Sequence, residues 1–150
     1  VATPLTQTPA DRCNAYRSLG WRAELDEHNQ IILPAKTVHG IQVCSGLADL
    51  VLETLRHSRM ITPIVDNVAT RTRTFLTTAP KAGDTRAISL FPPTSTVQAI
   101  RTAPGSPIPL PTPGDETRVW LDEPRPDSLA DFELLISITL DAARTALHAA

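Results

Sequence analysis

Two carboxylates, Glu24 and Asp26, stand two residues apart in WRAELDE, a stretch that alternates apolar and polar residues. In an extended strand such a pair projects from one face, and Glu27 and His28 follow directly. Oxygens so placed can hold a divalent cation of the kind that assists nucleotidyl transfer. The polar face of an ordinary hairpin has the same pattern. Glu24 and Asp26 are therefore an alternative metal site, and the leading expectation is no metal and no cofactor.

Three further groups of residues carry chemistry. Cys44 lies at a strand-to-helix junction in VHGIQVCSGLADL, where backbone N–H groups and the helix dipole favour a thiolate. A nucleophile there would need a histidine in reach and a third, orienting group; His39 is near in sequence and no third group is evident, so a structural cysteine is expected. Arg71 and Arg73 project from one face of TRTRTF, and Phe75 continues the row. Arginines beside an aromatic can contact phosphates and stack on bases, which makes this row the candidate nucleic-acid surface against the simpler reading of a solvated strand face. Trp120, if Val119 and Leu121 face inward, is an outward anchor for a protein partner or the cover of a second layer of core. Ile108 and Leu110, alternating with prolines in PIPLPTP, are candidates for the same role.

Other chemistry finds less support. The four histidines, His28, His39, His57 and His148, lack metal-ligand spacing. The six glycines are isolated, so no loop of the phosphate-cradling type is present. The net charge is −2, which argues against a general nucleic-acid binder. Almost every cation is arginine, with lysine only at Lys36 and Lys81.

The elements that position these residues follow from periodicity. Thr8 is a suitable N-cap and Pro9 a suitable first-turn residue for a helix over 9–19, which Gly20 can close. Trp21, Ala23 and Leu25 alternate in a first strand, HNQ turns the chain, and IIL returns as a second strand that Pro34 ends. VHGIQV predicts another strand. A helix over 46–60 buries Leu47, Leu50, Val51 and Leu55. Strands are expected around PIV, in VATRTRTFLTT, in AISLF before Pro92 and Pro93, and in TVQAI. Nine of the fourteen prolines lie between Pro92 and Pro126. Within that region 103–114 alternates proline with aliphatic residues, which suits an extended polyproline ribbon or edge strand lying on the core, the alternative being a mobile loop. TRVWL resumes a strand. Asp127 or Ser128 caps a last helix over 128–148, whose apolar face (Leu129, Phe132, Ile136, Leu140, Ala143) is widened by Leu134, Leu135 and Ile138. That breadth predicts core packing, interface, or both.

Strands in runs with three helices indicate an α+β domain with a mostly antiparallel or mixed sheet. A chain of 150 residues suits one domain over 9–150, preceded by a flexible segment over 1–8, burying about 68–70% of its unfolded surface. No apolar run reaches the roughly 20 residues that span a bilayer. Two cysteines, Cys13 and Cys44, do not make a disulfide framework. These features point to a cytoplasmic protein without a membrane partner.

SLGW at the end of the first helix, HGIQVCSGLADLVLETL, TRTRTFLTTAP, FPPTST and TRVWLDEP occur in an order that resembles the N-terminal domain of bifunctional DNA primase–polymerases, archaeo-eukaryotic primase-like proteins, especially their small actinobacterial versions. The resemblance spans residues 11–148. It implies a scaffold whose active members carry acids for two metal ions on the strand before the internal helix. This chain has Gly40 and Val43 at those places, and no histidine falls in the family's nucleotide-binding role. The resemblance thus implies lost polymerase activity. The expected function is a non-catalytic binding domain with a protein partner or a second copy of itself. Nucleic-acid or nucleotide binding through Arg71, Arg73 and Phe75, or metal-dependent nucleotidyl transfer through Glu24 and Asp26, are the alternatives.

Overall fold

The computed structural model describes residues 7–84 and 86–148. The expected flexible segment 1–8 falls mostly outside them. Among the described residues eight strands and three helices, one helix at each end and one inside, make an α+β arrangement in which every pairing between these strands is antiparallel.

Helix α1 (Pro9–Arg17) starts as its sequence dictates: Thr8 Oγ1 accepts from the Asp11 N–H at 3.1 Å and Asp11 accepts in return from the Thr8 N–H at 3.2 Å. This reciprocal cap satisfies two otherwise orphaned donors. Gly20, at φ +87°, turns the chain out of the helix. Strands β1 (Glu24–Leu25), β2 (Ile31–Pro34) and β7 (Pro107–Pro109) form a small sheet in the order β1-β2-β7. Strands β3 (Val38–Cys44), β4 (Ile64–Asn67), β5 (Thr72–Thr78), β6 (Ala99–Arg101) and β8 (Arg118–Asp122) form a larger one in the order β6-β3-β5-β4-β8.

Helices α2 (Ser45–His57) and α3 (Phe132–His148) cover one face of the larger sheet. Ile41, Val43, Ile64 and Phe75 point from that face against Leu47, Val51, Leu55, Phe132 and Leu135. The opposite face contributes Val38, Val65 and Leu76 to a second core, shared with α1 and the small sheet. Both faces of the central strands are thus covered, and each fully buried aliphatic side chain contributes about 1.5–3 kcal/mol.

Several expectations change in detail. The last helix begins at Phe132, not at 128: Asp131 Oδ2 accepts from the Leu134 N–H at 3.1 Å and is the cap, while Ser128 Oγ is occupied with the backbone of Arg125. AISLF forms no strand. Ser89 bridges Ile100 and nothing more regular develops. Within β8 the expected alternation holds, with Leu121 on the helical core and Trp120 on the second core, but Val119, on the side of Leu121, is 44% exposed and not buried. A bulge follows Trp120, since Ile64 pairs with Asp122 and the next residue, Val65, with Trp120.

The proline ribbon is an edge strand. Bonds from the Ala35 N–H to the Ser106 carbonyl and from the Leu110 N–H to the Ile31 carbonyl bracket it. That register turns the peptide groups of even-numbered residues toward β2 and those of Pro107 and Pro109 outward. The positions without an N–H are those whose N–H would have met no partner. Ile108 and Leu110 are buried at 3% and 0% exposure. They are core residues, and the expectation that they meet a partner is corrected.

Candidate functional site

The residues expected to bind nucleic acid do not form a surface row. Arg71 sits outside β5, in a turn at φ +55°, and its carbonyl accepts from the Ser45 N–H and Oγ. Arg73 lies between Asp49, at 2.5 Å, and Asp66, at 3.8 Å. Phe75 is completely buried under the helices. It offers no face to a base, and Arg73 has its charge matched from two sides. The alternative metal pair is also divided between other tasks. Asp26 Oδ1 accepts from the N–H groups of His28 and Gln30, at 2.8 and 2.9 Å, and so shapes the hairpin turn. Glu24 points into solvent. Among the described residues no three His, Cys, Asp or Glu side chains converge in a way that would hold a metal ion.

On β3, Val43 is fully buried. A Cβ added at Gly40 would lie 3.0 Å from Thr74 Cγ2, 3.2 Å from Thr102 Oγ1 and 3.6 Å from Ile108 Cδ1. The place where the resemblance would put an acid is filled by neighbouring side chains. Cys44 is the N-cap of α2, and its Sγ accepts weakly from the Gln98 N–H at 3.5 Å. His39 lies five residues away along the same strand, roughly 16 Å at a strand's rise, so the two form no dyad. His39 is 3% exposed, stands edge-on to Phe132, and its Nδ1 has no partner among the described residues. Burial pushes its pKa below the ordinary histidine value.

A different set of residues does come together. Tyr16 on α1, Trp21 just after it and Trp120 on β8 are the chain's only tyrosine and tryptophans, and they meet on the second core. The Tyr16 ring lies 6.1 Å from Trp21 and 5.8 Å, edge-on, from Trp120; the two indoles are 6.3 Å apart. Trp120 Nε1 donates to the Tyr16 hydroxyl at 2.9 Å, and that hydroxyl donates to the Pro111 carbonyl at 2.8 Å. Burial raises the Tyr16 pKa, which keeps the hydroxyl in its donating form. The chain of bonds ties α1 to the end of the proline ribbon and to β8.

A cleft of about 440 Å³ opens beside this cluster, lined by Arg12, Tyr16, Trp120, Arg118, Glu123 and the turn over 111–114. The Arg12 guanidinium lies 6.0 Å from the Tyr16 ring centre and has no acidic partner among the described residues. Arg118 is held by Asp115 at 3.2 Å through one nitrogen. A second cleft of about 390 Å³ lies past Trp21, where Val38 and Leu129 form an apolar floor and Arg125 and Asp127 a polar rim. Aromatic faces beside arginines are the composition of protein-binding hot spots.

Trp120, the anchor expected from sequence, lies at the cleft wall. Its partners Tyr16 and Arg12 were missed, because about a hundred residues separate them along the chain. The rarity of Tyr and Trp is a sequence signal for Tyr16, and Arg12 carries none. No family model, curated protein or solved structure matches this chain.

Proposed function

We infer that the chain is a non-catalytic binding domain, built on a scaffold of the primase–polymerase kind, whose working surface is the cleft between α1, the 111–114 turn and β8. One observation carries this reading: Tyr16 and Trp120, packed against Trp21, wall a cleft whose rim bears Arg12, an arginine without an acidic partner among the described residues. Binding energy at protein surfaces concentrates in such aromatic and arginine groups. The crowded surroundings of Gly40 and the buried Val43 support the non-catalytic part, since a carboxylate at either place would displace packed neighbours.

A photo-crosslinking side chain at position 119, beside the cleft, tests the reading against one at the exposed position 53 on α2. In cells of the source, the first should capture a defined partner that Arg12→Glu abolishes, and the second should not. Equal capture from both positions would refute the assignment of the surface. Incorporation of labelled nucleotide on a primed template with Mn²⁺ would refute its non-catalytic character.

A further inference from the structure

Two sheets present four edges, and three of them are closed by different means. On β7 the outward positions are Pro107 and Pro109, which have no N–H to offer. On β6 the segment over 88–90 lies alongside: the Arg101 N–H donates to the Ile88 carbonyl and the Leu90 N–H to the Ala99 carbonyl, both at 2.9 Å. On β1 only two residues are extended, and Arg17 reaches the carbonyl of Ala23 next to them at 2.8 Å. The fourth edge, β8, pairs with β4 on one side, and among the described residues no backbone group pairs with its other side.

The cleft lies along that open edge. Arg118, Val119 and Trp120 all line it, yet consecutive strand residues point to opposite faces. A space that touches all three lies at the rim of the strand, where the unpaired N–H and C=O groups are. The bulge after Trp120 ends the regular stretch, which limits pairing to about three residues. Beside those three residues stand the guanidinium groups of Arg12 and Arg118.

We propose that β8 accepts an extended segment of a partner protein as an added strand, pairing along Arg118–Trp120, with an acidic side chain of that segment received by Arg12 and Arg118. The proposal rests on the binding surface inferred above and names what occupies it. Backbone bonds along the edge give affinity without regard to sequence, and the two arginines select for a carboxylate, which a guanidinium fork receives through paired hydrogen bonds. Trp120 and the exposed Val119 supply apolar contact on either side of the ladder.

The probe is acetyl-Thr-Val-Glu-Val-Thr-amide, which carries no terminal charge, titrated at millimolar concentration into the whole chain and followed by backbone NMR. Shifts should centre on residues 117–120, and alternate amides of β8, fast to exchange in the free protein, should slow. Replacing Glu by Gln in the peptide, or Arg12→Ala in the protein, should weaken binding about ten-fold, as expected for loss of a charge-assisted pair. N-methylation of the peptide's central amides should abolish it. Equal binding by the N-methylated peptide, shifts centred elsewhere, or no shifts at all would overturn the proposal. So would β8 amides already protected in the free protein, or a dimer that protects them, because the edge would then belong to this chain or its copy. A failed titration alongside intact capture through position 119 removes strand addition alone, whereas failure of both removes the binding surface.

Discussion

The two cores of this molecule use different materials. Beneath α2 and α3 the packing is aliphatic with two buried phenylalanines, and the layer of helices seals it. Behind the same sheet, the second core contains Tyr16, Trp21 and Trp120, its covering is one short helix and three short strands, and clefts open on both sides of the aromatic cluster. One side of the sheet supplies bulk stability. The other combines moderate burial with polar handles on large rings, and such rings give binding surfaces their anchors.

The contrast predicts unequal responses to substitution. Leu135→Ala removes a fully buried side chain between α3 and the sheet and should cost about 2–5 kcal/mol, read as a lowered urea midpoint with unchanged slope. A loss below about 1 kcal/mol would mean that the helices are not the main source of stability. Tyr16→Phe keeps the ring but leaves Trp120 Nε1 and the Pro111 carbonyl unpaired. It should cost about 1–3 kcal/mol and alter tryptophan fluorescence, with the helical side undisturbed by hydrogen exchange. An unchanged emission spectrum would show that the hydroxyl does not organise the cluster.

The smallest effect concerns pH. His39 has a folded pKa lowered by desolvation first and by Arg101 as a lesser cause. The unfolded chain therefore takes up a proton that the folded chain refuses. Stability should be flat above the unfolded value of about 6.5 and fall as pH drops below it, by at most about 1.4 kcal/mol per pH unit. Lys36 and Thr102 backbone groups oppose the shift but do not reverse it. Urea midpoints at pH 7.5, 6 and 5 should show this slope, and His39→Asn should flatten it. The same slope in His39→Asn would assign it to other groups.

Local chemistry was readable wherever neighbours in sequence are neighbours in space. The Thr8 cap, the inward stripe of Leu47, Val51 and Leu55, and the strand from Val38 needed only short-range rules. The alternation of proline and aliphatic residues suits an extended ribbon or an edge strand on the core, and the register makes it an edge with donors on one side only. Failures came where distant segments decide. TRTRTF alternates as a half-exposed strand would, yet β5 is central and covered on both faces, so Phe75 is core and Arg73 meets Asp49 from α2 and Asp66 from β4. In β8 the alternation put Leu121 and Trp120 on opposite cores, but whether Val119 is covered depends on distant elements, and it stays exposed. Nothing local relates Arg12 to Trp120, and the cleft depends on their meeting.

Pro107 and Pro109 have a consequence for how large an assembly this chain can enter. Growth by strand addition propagates only when a subunit is receptive at two ends, one to join and one to be joined. Here the ribbon is blunt, β6 at the far end of β8's own sheet is covered by the segment over 88–90, and β1 is two residues long, so among the described residues a molecule engaged through β8 has no second terminus of that kind to extend. Complexes formed this way should stop at one partner, or close as a two-fold pair, and fibres built by stacking this fold end to end should not form.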